Sequence, residues 1–133
     1  MPGIFSRIVA GEIPCYKVAE DENYLAFLDI NPLAVGHTLV IPKKEVDYLF
    51  DLDDPTYNGL MSFSKKVAVA LKKVIDCKRI SVVVLGFEVP HAHIHLIPSN
   101  NESDINFSRP KLKLDGETMK KTADKALESF NKP

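Results

Sequence analysis

Cysteine is scarce in this chain. Cys15 and Cys77 lie far apart in different kinds of segment, with no CxxC or other metal-ligand spacing. A disulfide between them stays open, but isolated thiols fit a reducing compartment better. No run of eighteen apolar residues occurs, and the opening residues 1–7 show no basic stretch leading into a long apolar one. The expectation is a soluble, cytoplasmic protein with no membrane partner. An excess of one charge is also missing: 17 Lys and Arg face 18 Asp and Glu, for a formal net charge of −1. A nucleic-acid polymer would find no broad positive field, whereas a single nucleotide needs only a local site. No G-x-S-x-G elbow and no Walker A loop is present, which weakens the serine-nucleophile and triphosphate-cradle classes.

What remains is a chain of 133 residues with 45% hydrophobic content, enough for one self-sufficient domain over 1–133. Apolar residues at 4, 5, 8 and 9 before Gly11 predict a short helix over 4–10. Segments 24–30 and 37–41 read as strands, and the short turn between them favours antiparallel pairing. Asp54-Pro55 predicts a helix N-cap followed by proline at the first helical position. Leu60, Phe63, Val67, Leu71 and Val74 then recur at three- and four-residue steps, predicting a long amphipathic helix over 55–75. Segment 80–85 is β-branched, and the stretch 90–98 follows closely enough to make another antiparallel hairpin. Residues 100–110 read as an extended polar connection, and 117–130 as a last helix with Met119, Ala123, Ala126, Leu127 and Phe130 on one stripe. Hairpins with helices packed on them define an α+β architecture.

Three of the four histidines stand at alternate positions in Pro90-His91-Ala92-His93-Ile94-His95-Leu96-Ile97-Pro98. At strand spacing this sets three imidazoles on one face and Ala92, Ile94 and Leu96 on the other. A sheet surface that happens to carry histidines is the bland reading. It suits one such residue better than three, because like rings on one face compete for protonation with no gain in packing.

Metal binding is a second reading. At roughly 3.3 Å per residue, His91 and His95 would stand about 13 Å apart at Cα, too far to share an ion with bonds near 2.1 Å. Two neighbouring histidines with His37, which opens the run 37–41, could still form a site. The third reading is nucleophilic chemistry by neutral imidazole. The central ring, His93, would attack while its neighbours hold protons or donate to an anion, and a phosphorus centre suits that arrangement.

The run His91-Ala92-His93-Ile94-His95-Leu96-Ile97 resembles the His-φ-His-φ-His-φ-φ signature of the histidine triad (HIT) family. The opening residues Ile4 to Pro14 resemble that family's first segment, and 25–32 with 36–43 resemble its nucleoside-binding strands. The likeness covers residues 3 to 98. It implies a HIT-like fold of the Hint-like branch: an antiparallel sheet of about five strands, a long helix and a C-terminal helix. The core would span about 3–110, with a helical extension over about 111–133, in a homodimer that joins two sheets.

The implied activity is that of a purine nucleotide hydrolase or transferase, cleaving nucleoside 5′-phosphoramidates or related phosphoanhydrides through a nucleotidyl-histidine. By the same resemblance His93 is the nucleophile, His95 contacts phosphate oxygens, and His37 and His91 support the triad by hydrogen bonds. Asp29 would bind the ribose hydroxyls, and Phe27, Leu28 and Ile30 would enclose base and sugar. Read without the resemblance, Asp29 could equally be a strand-end turn residue.

Two features depart from the family pattern. The pre-triad loop is only Leu85-Gly86-Phe87-Glu88-Val89-Pro90, without the usual Asn and Gln or Ser groups, and Glu88 adds a negative charge. Losing one such oxyanion donor costs on the order of 10²–10³ in rate. Gly3-Ile4-Phe5-Ser6 replaces the Cys-x-x-Cys of many bacterial relatives, so no structural zinc, no bound metal and no cofactor is expected. The alternatives are a nucleotide-binding protein with little catalysis and a His-ligated zinc hydrolase.

Overall fold

A computed structural model describes residues 2–132. Its elements run α1 (Ile4–Val9), β1 (Lys17–Glu20), β2 (Tyr24–Leu28), β3 (Thr38–Pro42), α2 (Asp54–Val74), β4 (Arg79–Val83), β5 (Ile94–Ser99) and α3 (Gly116–Asn131). The strands form one antiparallel sheet in the order β1-β2-β3-β5-β4. The expected α+β class and both hairpins are present. Among the described residues no helix is long and apolar enough to cross a membrane, and both cysteines are free thiols.

Strand alternation divides the core in two. Tyr24, Ala26 and Leu28 of β2, Val40 of β3, and Ile94 and Leu96 of β5 face the long helices, where Leu60, Phe63, Val67 and Leu71 of α2 meet them. Leu25, Phe27, Leu39 and Ile41 face the other way, and Phe5 of α1 covers them. Helix α3 lies on the α2 side. Its Met119, Ala123 and Ala126 join the main core, Phe130 packs on Phe63 with ring centroids 5.5 Å apart, and Ser129 Oγ donates to the Ala70 carbonyl at 3.0 Å. The C-terminal helix is therefore part of the core rather than a cover for the opposite face.

Four details differ from the sequence reading. β1 had no counterpart there, because Lys17–Glu20 is short, carries a single β-branched residue and pairs with β2 through a register shift. The cap of α2 is Asp53, one residue earlier than expected. Its carboxylate accepts from the Thr56 amide at 2.8 Å, and Pro55 follows in the first turn. The connection expected over 100–110 contains a 3-10 turn, Glu102–Ile105.

The fourth difference matters most. The histidine strand begins only at Ile94, not at the start of the triad. The β3–β5 register pairs Thr38 with Leu96 and Val40 with Ile94; continued, it would set Pro42 opposite Ala92. Proline has no amide hydrogen to give to a ladder. The Ala92 amide donates instead to the Val46 carbonyl at 2.7 Å, and the His91 amide to that of Val89 at 2.9 Å.

Candidate active site

The histidine geometry starts at the β2–β3 turn. The Asp29 amide donates to the His37 carbonyl at 2.9 Å, and the Leu33 amide donates to His37 Nδ1 at 3.0 Å. An amide N–H can only donate, so His37 Nδ1 carries a lone pair and the ring proton sits on Nε2. That Nε2 lies 2.9 Å from His95 Nδ1. His37 is thus the donor, His95 Nδ1 the acceptor, and the proton of His95 is left on Nε2. Burial pushes the His37 pKa down to about 3, helped by His95 and Lys111. Burial likewise brings His95 to about 4, helped by His93. Both rings are neutral near pH 7. The 3.6 Å approach of Asp29 Oδ2 to His37 Nε2 is therefore a contact with a neutral ring, not an ion pair.

A second chain of bonds orders His93. Its Nδ1 lies 2.7 Å from the carbonyl oxygen of His91. A carbonyl can only accept, so Nδ1 holds the proton and Nε2 the lone pair. The ring of His91 donates through Nε2 to the Pro42 carbonyl at 2.7 Å, and burial lowers its pKa. Its Nδ1 is sealed from solvent, with no partner among the described residues. His91 supports the central ring through its backbone rather than through its imidazole. Phe5 packs edge-on against His91 and His93, at centroid distances of 5.7 and 5.3 Å.

His93 and His95, 5.0 Å apart at their ring centroids, open on a cleft of about 460 Å³. That is within the usual size of a small-ligand site. Phe5, Phe27 and Leu39 give it an apolar wall, and Leu28, Asp29 and Ile30 lie along its rim. Of the eight expected site residues, six line the cleft. His37 and His91 stand behind His95 and His93. Asp29 does serve as a turn residue, accepting from the Asn31 amide at 2.9 Å through Oδ1. Its other oxygen is not committed to that turn. Burial raises its pKa, opposed by the Asn31 amide.

Several residues at this site had no signal in the sequence reading. Phe107 packs against His95 and His37, at centroid distances of 4.9 and 6.1 Å, and Lys111 lines the same cleft. Phe107 belongs to the connection over 100–110 read only as polar linker, and Lys111 lies just beyond it. The Leu33 amide that orders His37 could not be foreseen from residue types at all, since its role is a backbone position.

The HIT domain family model matches residues 10–102, and the chain belongs to this family. It is 42% identical over 125 residues to an uncharacterized HIT-like protein of Borreliella burgdorferi, covering 88% of this chain and 90% of that one. It is 39% identical over 107 residues to the adenosine 5′-monophosphoramidase of Schizosaccharomyces pombe, covering 77% of each. A Hit-like protein from Bartonella henselae superposes with a TM-score of 0.84 at 34% identity, over 96% of this chain and 95% of that one. A zinc-bound histidine triad protein from Mycobacterium smegmatis gives 0.82 at 27% identity, over 98% and 94%.

Zinc in that relative raises the question of a metal here. Ligand atoms of Asp29, His37 and His95 lie within 4.8 Å of one another. The tautomers argue against an ion among them. A metal on His37 Nε2 would move the ring proton to Nδ1, where it would face the Leu33 N–H, donor against donor. The cluster fits a shared proton better than a cation.

Proposed function

We propose that this protein is a purine nucleotide hydrolase or transferase that acts through a covalent nucleotidyl-histidine on His93. The observation that carries the reading is the pair of ordered tautomers. They leave a nucleophilic lone pair on His93 Nε2 and an N–H donor on His95 Nε2, side by side at one cleft. With a nucleoside 5′-phosphoramidate, His93 Nε2 forms a bond to the α-phosphorus as the phosphorus–nitrogen bond to the leaving amine breaks, and the amine takes up a proton. Water then displaces the histidine and releases the nucleoside monophosphate. The His95 N–H stabilises charge on a non-bridging oxygen, a role for which imidazole donors are suited. Asp29 binds the ribose hydroxyls, while Phe27, Leu28 and Ile30 enclose base and sugar.

Names of relatives support the class of substrate: the Schizosaccharomyces pombe and Saccharomyces cerevisiae proteins, 39% and 38% identical, are adenosine 5′-monophosphoramidases. Incubation with adenosine 5′-phosphoramidate followed by mass spectrometry of the intact protein tests the reading. An adduct of one nucleotidyl group, absent from His93→Ala, is expected; undiminished turnover by His93→Ala would overturn it.

The same reading includes a homodimer joined through β4. Among the described residues that strand has no neighbour on one side, and Val82 on it is 54% exposed. A bare strand edge is a template for pairing with a second copy. Val82→Lys is expected to shift the mass measured by light scattering from dimer to monomer, and a monomeric wild type would remove this part of the proposal. The protein is placed in the cytoplasm on the same reading.

A further inference from the structure

The shortened loop before the triad leaves the cleft without the usual polar side chains for phosphate, and its one charged residue there is Glu88. A site for an anion with a carboxylate on its wall needs a cation from elsewhere. Lys111 lies on the wall of this same cleft, brought there by the segment that follows the 3-10 turn Glu102–Ile105.

Three contacts place it. The Leu112 amide donates to the Pro32 carbonyl at 2.8 Å, which pins the segment to the turn between β2 and β3 beside Asp29. The ammonium of Lys111 donates to the Phe107 carbonyl at 2.6 Å and lies 5.7 Å from the centroid of the Phe107 ring. That ring in turn packs against His95, centroid to centroid 4.9 Å. The charge is thus carried on a strap resting on His95, a ring that lines the cleft.

No carboxylate among the described residues forms an ion pair with Lys111. The other cations with near neighbours of opposite sign, such as Lys43 with Glu20 and Arg109 with Asp104, are matched. Among the described residues the Lys111 ammonium has only carbonyl partners, the second being Arg109 at 3.3 Å. Its field reaches the site: it opposes the rise that burial gives the Asp29 pKa and adds to the lowering of that of His37. An unneutralised, flexible ammonium at a cleft with two histidines suits phosphate oxygens, which it meets as a point charge.

We propose that Lys111 is the phosphate-binding cation of this site, taking the place of the polar loop groups and selecting nucleotides over nucleosides. The proposal rests on the nucleotide reading above but concerns binding, not the covalent step. Lys111 holds the phosphate group that His93 attacks and offsets the repulsion from Glu88.

The experiment is calorimetric titration of the full chain with adenosine and with AMP, for wild type, Lys111→Met and Lys111→Arg. Methionine keeps the length of the side chain, and circular dichroism checks that the variant is folded. In Lys111→Met, AMP is expected to bind about tenfold more weakly, the scale of one charge-assisted hydrogen bond, while adenosine binding changes far less. The salt dependence of AMP binding is expected to flatten in the same variant, and Lys111→Arg to restore most of the affinity. Equal weakening of adenosine and AMP would mean that Lys111 only holds the strap, and an unchanged ratio between the two would mean that it does not touch phosphate. Either result overturns the proposal. Absence of a His93 adduct, with the AMP preference still lost in Lys111→Met, would overturn the covalent reading and leave this one standing.

Discussion

His37 Nε2 and His95 Nδ1 share one proton across 2.9 Å, and the Leu33 amide decides which of them owns it. Because the amide occupies the other nitrogen of His37, the proton belongs to His37, and His95 is forced to present its own proton to the cleft. This relay makes a residue that lies behind the pocket necessary to the residue that lines it.

His37→Ala is expected to reduce kcat on adenosine 5′-phosphoramidate by on the order of 10²-fold, with a smaller effect on KM, since the lost order acts on charge that develops during reaction. Steady-state kinetics checks it. A kcat near that of wild type would show that His95 needs no orienting partner.

Stability should fall with acid. Folded His37 and His95 bind protons only near pH 3 and 4, whereas in the unfolded chain they do so near 6.5. Below about pH 6.5 the unfolded state therefore holds more protons, and stability is lost as pH falls toward the folded values, while above that it is fully present. For His95 alone the shift corresponds to a few kcal/mol, about 1.4 per pH unit. Urea midpoints measured from neutral pH downward should drop less steeply in His37→Asn than in wild type. Equal slopes would contradict the assignment.

Phe5 links the opening helix to two members of the triad and to Phe27, at a centroid distance of 5.5 Å. Truncation to alanine should cost about 3–5 kcal/mol in urea unfolding, as for other buried aromatics. It should also slow adduct formation at His93, because one wall of that ring's seat is gone. A loss below about 0.5 kcal/mol, the scale of surface substitutions, would place Phe5 outside the packed layer.

Helix α2 offers a test of packing against propensity. Gly59 lies within it, where alanine is normally better by about 1 kcal/mol. A methyl there would fall on the Tyr24 hydroxyl, well inside contact distance, while that hydroxyl donates to the Thr56 carbonyl at 3.0 Å. Gly59→Ala is expected to destabilise by about 1–3 kcal/mol. Combining it with Tyr24→Phe, which removes the obstructing oxygen, should recover part of the loss; thermal unfolding of the three variants decides the matter.

Much of this architecture could be read from residue order. The alternation of Ala92, Ile94 and Leu96 against the histidines survives in the structure, with the apolar set in the core and His93 and His95 on the cleft. Of the periodic residues of α2, Leu60, Phe63, Val67 and Leu71 are buried and Val74 is half-buried. What could not be read depends on contacts between distant segments. Phe107, in the polar connection, and Lys111, just past it, follow a course set by the Leu112–Pro32 bond, and no local pattern encodes that. β1 owes its existence to pairing with β2, since its four residues carry little strand preference of their own.

The late start of β5 has a price in sheet regularity and a use in chemistry. A ladder continued to Pro42 and Ala92 would give the Pro42 carbonyl to the Ala92 amide. Proline has no amide to complete that pair. The Ala92 amide turns to Val46 instead, and the Pro42 carbonyl accepts from His91 Nε2 at 2.7 Å. A break in backbone pairing thus becomes the anchor of a side chain.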